Sequence, residues 1–94
     1  MKNLDGTSRD PGNLRQEFIL NTVKMFPLSM QMIEVHVRDV RARYINPETG
    51  KPFNLGTWWR DVAYMRENGF LFKDSADRYA LTEKGRQWLS LRSA

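Results

Sequence analysis

The chain has no cysteine and one histidine, His36. Without cysteine there is no disulfide scaffold, no thiolate nucleophile and no cysteine-ligated zinc or iron–sulfur site. A single histidine excludes the motifs that need two, although a nucleophile–histidine pair stays formally open. No apolar run approaches the ~18 residues that span a bilayer, so no membrane partner is expected. Met1 to Asp10 are polar and hold no apolar segment of the kind a secretory signal requires. The expectation is a soluble, cytoplasmic protein.

What is present suits a small folded domain. The 94 residues are 40% hydrophobic, 12% aromatic and 28% charged. That is a globular balance, and the length allows one hydrophobic core. Fifteen Lys and Arg against eleven Asp and Glu give a net charge of +4. Such a balance leans toward nucleic acid or another anionic surface, though inert domains carry it too.

Residues 1–10 read as a flexible tail and 11–94 as a single domain. Asp10-Pro11 opens a first helix, with a capping carboxylate and proline at the first position; Asn13 with Gln16 is a second possible cap. Leu14, Phe18, Thr22 and Met25 recur at helical spacing, with Ile19, Val23 and Phe26 widening the stripe, and Pro27 ends it. Ser29 can cap a second helix whose face carries Met30, Ile33, Val37, Val40 and Tyr44. Residues 32–38 also alternate at the strand period, so strand stays open there; helix is favoured because the pattern runs on without a breaker. Residues 45–56 read as a loop with a turn at Glu48–Lys51. Thr57 is expected to cap a third helix, 57–68, with Trp58, Val62 and Met65 inward and Asn68-Gly69 as its stop. Phe70–Phe72 and Arg78–Leu81 read as a hairpin. Thr82 caps a last helix with Trp88, Leu89 and Leu91 as its apolar content. The fold class expected is mainly α with a small β-hairpin (α+β). Because a two-stranded ribbon does not stand alone in water, it must lie against the helices.

Two segments carry a family resemblance. Val62-Ala63-Tyr64-Met65-Arg66-Glu67-Asn68-Gly69-Phe70-Leu71 resembles the end of a recognition helix running into a strand. Tyr79-Ala80-Leu81-Thr82-Glu83-Lys84-Gly85 resembles the return strand of a wing entering the closing helix. From Ser29 to Leu91 the chain is similar to winged helix-turn-helix DNA-binding domains, above all those of the bacterial multiple-antibiotic-resistance (MarR) and phenolic-acid-decarboxylase (PadR) regulators. The resemblance implies a three-helix bundle, a two-stranded wing, a C-terminal helix, and double-stranded DNA as the partner. Two departures stand out. The usual turn between the second and third helices is about 3–4 residues, whereas here it is about a dozen. The long dimerisation helices of those regulators are missing, so a monomer or weak homodimer is expected.

The resemblance puts helix 57–68 in the major groove. Its candidate contacts are Thr57 with the first-turn amides for a phosphate, Arg60 for a guanine, Tyr64 for a phosphate or base edge, and Trp59 on the flank. The bland alternative is a solvated face, and Glu67 argues mildly for it. Arg38, Arg41 and Arg43 near the end of the second helix are candidate backbone contacts, although cations there also suit the helix dipole. Lys51 in the loop extends that surface. Lys73 and Arg78 are the wing candidates, tempered by Asp74 and Asp77. Trp59 has a second reading, with the 45–56 loop, as the anchor of a protein-interaction module.

Catalysis is not expected, nor is a cofactor or a metal. A Walker A loop would need glycine at 45 and a hydroxyl at 52 around Gly50-Lys51, and the chain has Ile45 and Pro52. Glu34, Asp39, Asp61, Glu67, Asp74, Asp77 and Glu83 are scattered among bases as helical ion pairs would be. His36 reads as a surface or boundary residue. The functional expectation is a small bacterial or phage transcription regulator or DNA-transaction accessory factor, in the host cytoplasm or on the nucleoid.

Overall fold

The computed structural model describes residues 10–93. Of the tail expected over 1–10, all but Asp10 lies outside the described residues. Asp10 itself is the cap of helix α1, Pro11–Lys24: its carboxylate accepts the Asn13 N–H at 2.8 Å. Pro11 costs nothing there, because the first helical N–H has no partner in any helix. Ile19, Leu20 and Val23 turn fully inward. Met25 and Phe26, expected on the same stripe, do not: they are 80% and 61% exposed. Pro27 disfavours helical geometry at Phe26, the helix stops at Lys24, and the phase that would have buried them is lost.

The chain then forms a strand that the sequence did not announce. Leu28–Ser29, β1, pairs antiparallel with a later strand, Leu28 opposite Tyr79 and Ser29 opposite Arg78. The expected two-stranded ribbon is therefore part of a three-stranded sheet. Ser29 ends β1 and caps α2, Met30–Val40, accepting the Met32 N–H at 3.3 Å. The stretch 32–38, open between helix and strand, is helical. Ile33, Val37 and Val40 are buried while Val35 and His36 face water. The helix does not run on to Tyr44. Arg41–Arg43 tighten into a 3-10 turn, and Tyr44 leaves it with a non-helical backbone.

The segment expected as an open loop is clamped. Ile45 and Pro52 face each other as an antiparallel bridge, and the Asn46 N–H donates to the Lys51 carbonyl at 2.8 Å. The turn centres earlier than Glu48–Lys51: the Asn46 carbonyl takes the Gly50 N–H at 2.8 Å, and the Asn46 side chain takes the Glu48 N–H at 2.9 Å. Gly50 adopts φ +70°, a conformation that favours glycine.

Helix α3 spans Leu55–Glu67. Strands β2, Leu71–Lys73, and β3, Arg78–Leu81, follow, and α4, Glu83–Ser93, is the last described element. The sheet order is β1-β3-β2, with Phe72 opposite Ala80. Thr82 caps α4 as expected. Its hydroxyl accepts the Gly85 N–H at 3.0 Å and donates to the Gly69 carbonyl at 2.5 Å, tying the helix to the start of the hairpin. Trp88 and Leu89 are buried, but Leu91, expected with them, is 58% exposed. Over the described residues the architecture is a compact α+β domain of four helices and one small antiparallel sheet. Helix α1 is its axis and packs on α2, α3, α4 and β3.

Candidate nucleic-acid interface

Helix α3 begins two residues earlier than expected. Its cap is Asn54, whose side-chain oxygen accepts the Thr57 N–H at 2.9 Å. Asn is as good a cap as Thr, and Leu55 and Gly56 are compatible with a first turn, so the helix extends back to the first residue able to close it. Thr57 thus lies inside the first turn, its amide already engaged. Its hydroxyl donates to Asn54 at 3.3 Å, and Arg60 reaches it at a long 3.4 Å.

The inward face is as the spacing predicts. Trp58, Val62 and Met65 are essentially inaccessible. Trp58 stands edge-on to Tyr44 at 5.2 Å and to Phe18 at 6.0 Å, which fastens both α1 and the connector between α2 and α3, residues 41–54, to α3. Burial pushes the Tyr44 phenol above its ordinary value, with the Arg43 guanidinium pulling the other way and Glu17 adding to the rise.

One residue on this face departs from expectation. Asp61 is not a surface partner of a helical neighbour; it is 0% exposed and meets Arg15 of α1, Nε to Oδ2, at 2.5 Å. The Arg15 guanidinium also lies 4.2 Å over the Phe53 ring. Position 61 lies three residues after Trp58 and one before Val62, within the apolar stripe. That placement was the available signal for a buried acid, and a buried acid requires a partner.

The outward face of α3 carries Arg60, Ala63, Arg66 and Glu67, all exposed, with Tyr64 half-exposed. Trp59 is half-buried and packs on the edge of the core. The connector enters at the N-terminal end of this helix and brings Arg41, half-exposed, with Arg43 and Lys51, both exposed. None of these three makes an ion pair among the described residues. Arg38 is set apart from them: two of its nitrogens donate to Glu34 on α2, at 3.0 and 2.8 Å.

No family model matches the chain, and no curated protein or solved structure does. The assignment of a function therefore rests on the chain's own geometry.

At the other end of α3 the hairpin carries Lys73 and Arg78. Arg78 Nε donates to Asp74 at 3.1 Å. The same carboxylate accepts the Ala76 and Arg78 N–H groups, both at 2.9 Å. The backbone N–H of Arg78, followed by that of Ala76 and the nearby guanidinium, holds the Asp74 carboxyl below its ordinary value against a smaller opposing effect of desolvation. Lys73 Nζ lies over the Tyr79 ring at 5.4 Å. The ten residues singled out from sequence therefore fall in four places: Thr57, Trp59, Arg60 and Tyr64 on α3; Arg41, Arg43 and Lys51 on the connector; Lys73 and Arg78 on the hairpin; and Arg38 alone on α2.

Among the described residues there is no group of three His, Asp or Glu side chains placed to hold a metal, and no helix is long and apolar enough to cross a membrane. His36 is exposed on α2.

Proposed function

We propose that this chain is a winged helix-turn-helix domain that binds double-stranded DNA, with α3 lying in the major groove. The observation that carries the reading is the division of α3 into two faces. Trp58, Asp61, Val62 and Met65 hold it flat on the bundle, and Arg60, Ala63, Arg66 and Glu67, two bases against one acid, are left to water. A helix fixed rigidly by one face and basic on the other is what major-groove entry requires. The element order, α1, β1, α2, α3, then the β2–β3 hairpin and α4, supports the reading, with β1 added beside the hairpin. Such a protein acts where DNA is, in the cytoplasm or on the nucleoid, as a small bacterial or phage regulator or an accessory factor in DNA transactions.

The test is titration of a labelled mixed-sequence duplex at several salt concentrations. A small module of this kind gives a log–log slope of roughly −3 to −6, at about −0.9 per neutralised phosphate. No binding to duplex at low salt removes the reading.

A second reading is favoured by Trp59, which keeps part of its indole accessible, and by Ile45 on the connector, 44% exposed. Together they suit an anchor for a protein partner. In a chemical-shift map with duplex DNA, a response confined to Trp59 and 45–56 would favour it over the first.

A further inference from the structure

We infer that the DNA backbone is gripped from the connector side of α3, by Arg41, Arg43 and Lys51, and that the hairpin contributes no net charge to binding. The inference rests on the duplex-binding reading above and names which flank supplies the phosphate contacts.

On the hairpin, each cation is already engaged. A surface ion pair is weak, so Arg78 can leave Asp74 at little cost. The carboxylate cannot follow it. Asp74 is fixed by two backbone N–H groups, so its charge stays at the tip whatever Arg78 does. Asp77 adds a second negative charge, held at φ +59° in the turn. A phosphate approaching this tip meets two acids and two bases. No counterion release is gained where the local charge is already cancelled.

The connector differs in both charge and rigidity. Arg41, Arg43 and Lys51 stand against one carboxylate, Glu48, and none of the three is paired among the described residues. The backbone beneath them is fixed before any ligand arrives. The 45–52 bridge and the Asn46–Lys51 hydrogen bond close its tip, and Thr49 Oγ1 accepts the Lys51 N–H at 3.3 Å. Tyr44 against Trp58 and Phe53 over Arg15 fasten its two ends to the core. A pre-organised backbone lowers the ordering cost of each contact. The length of the connector, which departs from the short turn of the resembling domains, thus has a role: it carries three basic residues on a segment joined to α3 through Tyr44 against Trp58 and the Asn54 cap.

The experiment compares salt slopes for the full chain, Arg43→Gln/Lys51→Gln, Lys73→Gln/Arg78→Gln and Asp74→Asn, on the same mixed-sequence duplex. All changed side chains are solvent-facing or in the turn, and circular dichroism verifies the fold. The connector variant is expected to lose close to two units of slope magnitude, at about 0.9 per phosphate, and the hairpin variant almost none. Asp74→Asn, which frees Arg78, is expected to steepen the slope by about one unit. If the hairpin variant flattens the slope as much as the connector variant, this inference falls while duplex binding stands. If the unaltered protein fails to bind duplex at low salt, both fall together.

Discussion

Arg15 and Asp61, forty-six residues apart, form a buried ion pair with Nε and Oδ2 at 2.5 Å, and it joins the axial helix to the candidate groove-reading helix. The pair sits between the Phe53 ring and the core, so it also fixes the connector. Removing one member strands the other charge without its partner. Asp61→Ala is expected to cost about 3–5 kcal/mol. The double change Arg15→Met/Asp61→Leu should cost clearly less, since it leaves no orphaned charge. Urea unfolding of the three proteins measures this, and a double variant as unstable as Asp61→Ala would contradict it.

Gly85 brings α4 tightly against Phe70 and Leu81 of the hairpin region. A Cβ built there would lie 2.4 Å from the Phe70 carbonyl oxygen and 2.8 Å from Leu81 Cδ2. Replacing a helical glycine by alanine ordinarily stabilises by about 1 kcal/mol. Here backbone is in the way and cannot swing aside. Gly85→Ala is expected to destabilise by about 1–3 kcal/mol, read from thermal unfolding. A raised Tm would show that α4 moves away freely.

Gln16 is 1% exposed, and neither of its amide atoms meets a hydrogen-bonding partner among the described residues. An unsatisfied buried amide costs about 1–3 kcal/mol. Gln16→Met, close in volume and without the amide, is expected to raise stability by about 1 kcal/mol in chemical denaturation. A loss of stability would mean the amide has a partner of its own, such as an ordered water.

Arg60 and Arg38 give opposite expectations in DNA binding. Arg60, on the outward face of α3, pairs with no carboxylate among the described residues, and Arg60→Ala should weaken duplex binding by about 1–3 kcal/mol if it reads a base. Arg38 is ion-paired with Glu34 on α2, so Arg38→Ala should change affinity far less. Fluorescence anisotropy with a preferred duplex compares them, and equal effects would argue for diffuse attraction instead of groove reading.

Tyr44 makes the alkaline behaviour of the fold predictable in sign. Its folded pKa is raised, so the protonated phenol is the form the fold favours. The stabilisation is complete below the ordinary tyrosine value of about 10 and is lost as pH rises through the higher folded value. Tyr44→Phe should therefore flatten the fall in unfolding midpoint above about pH 10. An unchanged alkaline profile would place the effect elsewhere.

The sequence by itself determined the local elements whose signals are local. Asp10-Pro11, Ser29 and Thr82 cap helices because a side-chain oxygen needs only a neighbouring N–H. Trp58, Val62 and Met65 define an inward face because a helix repeats every 3.6 residues. The ten candidate contacts were visible as residue types. Tertiary structure decided everything that depends on distant partners. For 32–38, where the unbroken pattern favoured helix and left strand open, it gave the helix by burying Ile33, Val37 and Val40 together. It made a strand of Leu28–Ser29, too short to show a period, by supplying β3 beside it. It took Asp61 from the surface into the core because Arg15 was there to meet it. It also separated the basic residues into a paired hairpin and an unpaired connector, since a charge is free or neutralised according to what folding places within hydrogen-bonding reach.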